Sequence, residues 1–290
     1  MSAVEQQERT SVDEVTRTVA WLASELGPIR ELGVGRASAP ALPGTGHGWE
    51  RLVYDPLAAP ADAGDTEPGL TVRAAAVSVY GGAEQLNVTQ DPHRSSLLEP
   101  NRMLLARHAA AGFEIRERRT VPSVTLGALE REHGPFDVLR LRANGLEYPL
   151  ISSSLETVRK AVCIEVEGGM VDNYVGQYPF AVVAPLLHGA GYSLLEMDCT
   201  ARQQPAWGAA VRHQPLEYRG LWMRDDLLHG RSELSLTQGV TLLVLCRNLG
   251  HHPFGHEVAV SLYERSLIPP EVARTLLKAD FWALPWNFDQ

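Results

Sequence analysis

Short apolar runs alternate with longer amphipathic stretches along the chain, and this spacing predicts strands separated by helices. Residues 11–26 carry a helical repeat: Val12, Val15, Val19 and Leu22 share one face, Ser11 and Glu14 form a capping-box pair, and Gly27-Pro28 ends the pattern. Residues 29–32 predict a first strand running into Gly33 and Gly35, residues 52–54 a second ending at Asp55-Pro56, and residues 72–79 a third ended by Gly81-Gly82. Residues 86–88 alternate as a hairpin partner would. Further strands are predicted at 121–126, 138–141, 161–167, 192–197 and 218–224, with helices at 126–133, around Phe180, Val183 and Leu187, after Asp226, and at 270–280.

Strands interleaved with helices imply an α/β protein with a mostly parallel sheet covered on both faces. The expected organisation is an N-terminal helical segment at 1–27, an α/β domain at 28–226 and a C-terminal helical extension at 227–290, around one core. The Pro/Gly-rich stretches 38–48 and 58–69 read as loops within that plan.

Charge and cysteine usage narrow the function classes. A net charge of -9 argues against nucleic-acid binding, which needs a basic face, and against docking on an anionic membrane. Three scattered cysteines, Cys163, Cys199 and Cys246, form neither a disulfide framework nor a C-x-x-C metal site. The polar, acidic start and the lack of any long apolar run predict a cytoplasmic chain; a homo-oligomer is compatible with the composition.

The first chemical signal is Glu31-Leu32-Gly33-Val34-Gly35, directly after a strand. In open α/β sheets, ligands sit beyond the carboxyl ends of strands, where glycines permit tight turns and close backbone approach. A plain glycine turn explains the same residues. Asp55 follows at the end of the next strand, a place suited to hydrogen-bonding a ribose; a simple Asp-Pro turn is the alternative. Together they point to a nucleoside-bearing cofactor without choosing between a nicotinamide dinucleotide and S-adenosylmethionine. His252 and His256 have zinc-ligand spacing, but Pro253 and Gly255 between them predict a surface turn and no metal.

Several segments, in order, resemble the FkbM family of methyltransferases. These are Ser95-Ser96-Leu97-Leu98-Glu99-Pro100-Asn101, then residues 121–126, then Leu139-Arg140-Leu141-Arg142-Ala143-Asn144-Gly145-Leu146-Glu147, which is similar to L-K-[IL]-D-x-[EQ]-G-x-E. Ile164-Glu165-Val166-Glu167, Tyr174-Val175-Gly176-Gln177 with Phe180, Gly191-Tyr192 and residues 218–224 continue the likeness, which covers about residues 29–226. The resemblance implies a Rossmann-like methyltransferase fold and S-adenosylmethionine-dependent O-methylation of a small polar or natural-product acceptor. Carried over by position, Glu31, Gly33 and Gly35 would line the methionine end, Asp55 would hold the ribose, and Ala76 and Val77 would lie near the adenine. Ser95, Ser96, Tyr174 and Gln177 would form the acceptor side.

The sequence departs from the family pattern where the Asp falls on Arg142 and the Lys on Arg140. Arg stays protonated and cannot act as a base. Glu147 is retained and is the candidate base; Arg142 could clamp an acidic substrate. Glu165, Glu167 and His188 are further base candidates that also fit purely structural roles. The departures motivate an alternative, a pseudo-methyltransferase that binds or scaffolds a partner. A nicotinamide-dependent oxidoreductase is a third reading, without any Tyr-x-x-x-Lys pair to support it.

Overall fold

The sequences Leu139-Arg140-Leu141 and Ile164-Glu165-Val166-Glu167 alternate apolar and charged residues with period two, so each strand turns one side chain type to each face of a sheet. A computed structural model, which describes residues 3–35, 48–59, 69–107, 110–201, 214–225, 234–278 and 281–282, builds on that alternation. Its elements in chain order are α1 (Ala3–Glu25), β1 (Ile29–Val34), β2 (Trp49–Tyr54), β3 (Leu70–Arg73), β4 (Ala76–Val77), β5 (Gly82–Thr89), a 3-10 turn (Pro92–Arg94), α2 (Arg102–Arg107) and β6 (Ile115–Val124). They continue with α3 (Leu126–His133), β7 (Val138–Leu141), α4 (Glu147–Ser153), α5 (Leu155–Val158), β8 (Cys163–Gly169), α6 (Phe180–Gly189), β9 (Tyr192–Ala201), β10 (Pro215–Arg224), α7 (Leu236–Asn248), α8 (His252–Glu264) and α9 (Pro270–Leu276).

Seven strands form one sheet in the order β3-β2-β1-β7-β8-β10-β9. The pairs β2–β3, β1–β7 and β7–β8 are parallel, and β10 runs antiparallel to both β8 and β9. The chain is therefore α/β with a mostly parallel, Rossmann-like sheet. Leu32, Val34, Leu139, Leu141, Ile164, Val166, Tyr218 and Trp222 all face one side, where Leu126, Leu129, Leu150, Ile151, Val158, Val183 and Leu187 from α3 to α6 cover them. A smaller sheet, β4-β6-β5, lies between β3 and α3 in sequence, with β5 and β6 as a long antiparallel pair.

Contacts divide the chain into two compact units: Met1–Ile29, Pro40–Trp49 and Asp226–Gln290 form one, Arg30–Ala39 and Glu50–Asp225 the other. In the first unit, Gly239 to Cys246 of α7 are all buried, and α8 packs on this helix through Gly255. A Cβ at Gly255 would lie 2.5 Å from the Trp282 ring and 3.0 Å from the Cys246 Cβ, so the small residue permits close packing. No helix among the described residues is long and apolar enough to cross a membrane.

Three expectations change. The first helix begins at Ala3, so Ser11 lies inside it and is not its N-cap. Residues 72–79 are not one strand: the chain turns after Arg73, the Ala75 N–H donates to the Arg73 carbonyl at 2.9 Å, and β4 joins the smaller sheet. The predicted turn at Gly250 to Glu257 is mostly the start of α8, because Pro253 occupies a first-turn position where its missing N–H costs no hydrogen bond. The stretches expected as loops at 38–48 and 58–69 lie almost entirely outside the described residues.

Candidate functional site

The carboxyl ends of β1, β2 and β7 meet at Gly35. Its N–H donates to the Tyr54 carbonyl at 2.9 Å, and the Arg142 N–H donates to the Val34 carbonyl at 2.9 Å. Gly35 has φ +103°, and a Cβ there would fall 2.2 Å from the Arg142 carbonyl oxygen. Glycine is thus required for two strand ends to approach, and their approach shapes a cleft. Gly33 is different. It sits within β1 opposite Arg140, its added Cβ would meet a Val53 methyl at 3.2 Å, and it does not line the cleft. The strand expected at 29–32 thus continues through Gly33 to Val34, and the turn comes at Gly35.

The cleft is lined on one side by Gly35, Tyr54, Asp55, Leu57, Ala76 and Val77. It holds about 750 Å³ of empty space with its open mouth counted. Asp55 is buried at the end of β2; its Oδ1 accepts the Leu57 N–H at 2.8 Å, which fixes the Asp-Pro turn.

A further stretch of the wall comes from the 3-10 turn and the residues after it, His93, Ser95, Ser96 and Leu97, and Leu97 packs on the same apolar cluster as Leu57 and Ala76. Asn144, at φ 49°, holds this wall in place. Its Nδ2 donates to the His93 carbonyl at 2.9 Å and to the Ser95 carbonyl at 2.8 Å. The Ser96 hydroxyl donates to the Asn144 carbonyl at 2.7 Å and accepts the Leu98 N–H at 2.9 Å. Tyr174 and Gln177 do not line the cleft. The Tyr174 hydroxyl donates to the Arg94 carbonyl at 2.8 Å, the Tyr174 N–H donates to Gln177 Oε1 at 3.2 Å, and burial pushes the Tyr174 phenol far up. They support the wall from behind, against Gly145.

On the face of the large sheet away from α3 to α6, six charges alternate across four strands. Arg51 Nε lies 3.5 Å from Glu31 Oε1, and Arg140 Nη1 is 3.5 Å from the same oxygen. Arg140 Nη2 and Arg142 Nη2 are each 3.0 Å from Glu165 Oε1, and Arg142 Nε is 3.4 Å from Glu167 Oε2. Glu31 is 1% exposed and absent from the cleft wall, so its carboxylate faces arginines and not a ligand's ammonium group. Arg142 and Glu167 do line the cleft, as an ion pair.

Glu147 opens α4 and is 1% exposed. Its carboxylate oxygens accept the Gly145 N–H at 3.0 and 3.2 Å. Burial pushes its pKa up to about 7, against the pull of backbone N–H groups at Glu147, Gly145 and Ala143 that favour the ionised form. It too is absent from the cleft wall, so its carboxylate closes the 143–147 loop and is not aimed at a substrate.

Of the residues singled out in the sequence, the structure brings Gly35, Asp55, Ala76, Val77, Ser95, Ser96 and Arg142 together around one cleft and places Glu31, Gly33, Glu147, Tyr174 and Gln177 behind its walls. Sequence reasoning missed His93 as a wall residue; the signal was the Asp91-Pro92 pair that nucleates its turn, where Asp91 Oδ1 accepts the His93 N–H at 3.1 Å. Among the described residues, no group of three or more His, Cys, Asp or Glu side chains is arranged to hold a metal ion.

No family model matches the chain, and no curated protein matches it. Among solved structures it is similar to magnesium protoporphyrin IX methyltransferase from Synechocystis PCC 6803 with bound SAM, at 12% identity and TM-score 0.32, over 77% of this chain and 85% of that one. It is also similar to EvdMO1, at 14% identity and TM-score 0.26, over 73% of this chain and 41% of that one.

Proposed function

We propose that the chain binds S-adenosylmethionine in this cleft and directs its methyl group to a hydroxyl of a small polar or natural-product acceptor, as a divergent relative of the FkbM family. The observation that carries the reading is that Gly35 and Asp55, at the ends of adjacent strands, line the same cleft. A ligand at that position follows the general rule for open α/β sheets. The nucleoside half of the cofactor fits the residues present. Asp55 would accept hydrogen bonds from the ribose, and Leu57, Ala76 and Val77 offer an apolar slot for the base.

When bound, the cofactor supplies an activated methyl group, so the protein's task is binding and orientation. The Asn144 bonds hold the wall of Ser95, Ser96 and Leu97 at a fixed distance from the Asp55 side. The Arg142–Glu167 pair presents a polar, nearly neutral surface to an acceptor. Because Arg142 contacts two glutamates, it suits a neutral polar acceptor better than an acidic one.

Calorimetric titration with S-adenosylhomocysteine tests the reading. Binding that weakens at least about tenfold in Asp55→Ala is expected, since losing one or two ribose hydrogen bonds to a charged group removes about 1.5–3 kcal/mol. No heat and no thermal shift in the unmodified chain would refute it. A second reading, a fold kept for binding or scaffolding, is favoured by Glu31 and Arg142 both being engaged in ion pairs within the sheet. The same titration separates the two.

A further inference from the structure

We infer that His93 takes the proton from the acceptor hydroxyl, an inference that rests on the methyl-transfer reading. Three side chains on the cleft wall are of types that serve as general bases: Asp55, Glu167 and His93. Asp55 stands at the end of β2 on the nucleoside side and accepts the Leu57 N–H. Glu167 is engaged by the Arg142 guanidinium, its Oε2 3.4 Å from Nε. Glu147 and Glu165, the bases suggested by the sequence, are buried away from the cleft wall.

His93 combines a fixed backbone with a ring that makes no hydrogen bond or ion pair to a described residue. Its N–H donates to Asp91 Oδ1 at 3.1 Å, and its carbonyl accepts Asn144 Nδ2 at 2.9 Å. The exposed side chain lines the same cleft as Ser95, Ser96 and Asp55. Each arginine near it is shared by two carboxylates: Arg94 on its own turn is 3.3 Å from Asp91 and 2.6 Å from Glu217, and Arg142 contacts Glu165 and Glu167. Imidazole is the side chain whose ordinary titration spans neutral pH, so it can accept and release a proton in each cycle.

The step balances without a further reactant. The acceptor O–H bond breaks, its proton passes to the imidazole nitrogen, and the oxygen lone pair forms the new C–O bond. The C–S bonding pair stays on sulfur, leaving a neutral thioether, and the imidazolium returns its proton to solvent.

The position can be read without knowing the acceptor. Imidazole nitrogen resonances of the 15N-labelled chain are titrated against pH in three states: free, with S-adenosylhomocysteine, and with S-adenosylmethionine. His93→Gln assigns the His93 signals. The two ligands differ by the sulfonium charge, which disfavours a nearby imidazolium. At about 6 Å separation the His93 midpoint should fall by about 0.5–2 pH units more with S-adenosylmethionine than with S-adenosylhomocysteine. His251, His252 and His256, in the other unit, serve as internal controls. Equal midpoints in the two complexes, with both ligands bound by calorimetry, would overturn the role of His93 alone. Failure of both ligands to bind would overturn the methyl-transfer reading and this inference with it.

Discussion

Arg140→Met removes the centre of the charge row on the large sheet. Arg140 is 4% exposed and contacts two buried carboxylates: Glu165 Oε1 at 3.0 Å from Nη2 and 3.1 Å from Nε, and Glu31 Oε1 at 3.5 Å from Nη1. Methionine fills much of the same volume and leaves both carboxylates one cation short. Glu31 keeps Arg51 and Glu165 keeps Arg142, so neither becomes a bare buried charge. Breaking a buried pair from one side costs about 3–5 kcal/mol, and the remaining partners place this case near the lower end, about 3 kcal/mol. Urea unfolding at pH 7, followed by fluorescence and by circular dichroism, reads the loss as a shift in midpoint. The double variant Arg140→Met/Glu165→Met should be at least about 1.5 kcal/mol more stable than the sum of the single losses, because removing both partners leaves one fewer unpaired charge. Additive losses, or an Arg140→Met variant within about 1 kcal/mol of the unmodified chain, would refute the account of this row as mutually dependent ion pairs.

Three further outcomes follow from the geometry. Gly35→Ala places a methyl 2.2 Å from the Arg142 carbonyl at φ +103°, and should cost at least about 3 kcal/mol, seen as a melting temperature lower by about 6 °C or more. Glu147 has a raised folded pKa of about 7, so its contribution to stability is fully present below the unfolded value near 4.5 and is lost as pH rises through 7. Glu147→Gln should therefore be the more stable chain at pH 8, by up to about 3 kcal/mol, and lose that advantage at pH 4.5, as denaturant midpoints at the two pH values would record. Asn144→Ala removes two side-chain hydrogen bonds and places a Cβ residue less tolerant of φ 49°, for a loss of about 2–3 kcal/mol; Asn144→Gly keeps the backbone relaxed and should cost about 1 kcal/mol less in the same unfolding assay.

The central strands were legible because alternation of apolar and charged residues is a backbone property: Leu139 and Leu141 had to face one side and Arg140 the other. The glycine and the aspartate at the ends of β1 and β2 were legible for the same reason, as strand ends followed by turn residues. What the chain order hid was partner choice. Residues 72–79 read as one strand, and nothing local says that β3 extends one sheet and β4 another. Gly255 looked like a helix breaker because the Trp282 ring that makes a small residue necessary is 27 positions away. Glu31 looked like a ligand because its arginine partners come from β2 and β7, and pairing across strands has no local signature. His93 belongs to a turn without periodicity, so its place on the cleft wall emerges only once the β5–β6 insertion is folded against the strand ends.

The alternating charge row also acts as an alignment key during assembly of the sheet. Parallel strands of period two can slide by two residues and still present all their apolar side chains to the helices. Here such a slide between β7 and β8 would leave Arg140 opposite Glu167 or Cys163 and strand Glu165 beside Val138 or Arg142 alone. The slide that sets Glu165 beside Val138 would bury a carboxylate without its arginine, and the other would cost Glu165 one of its two arginines, so the row disfavours registers that hydrophobic pattern alone would accept.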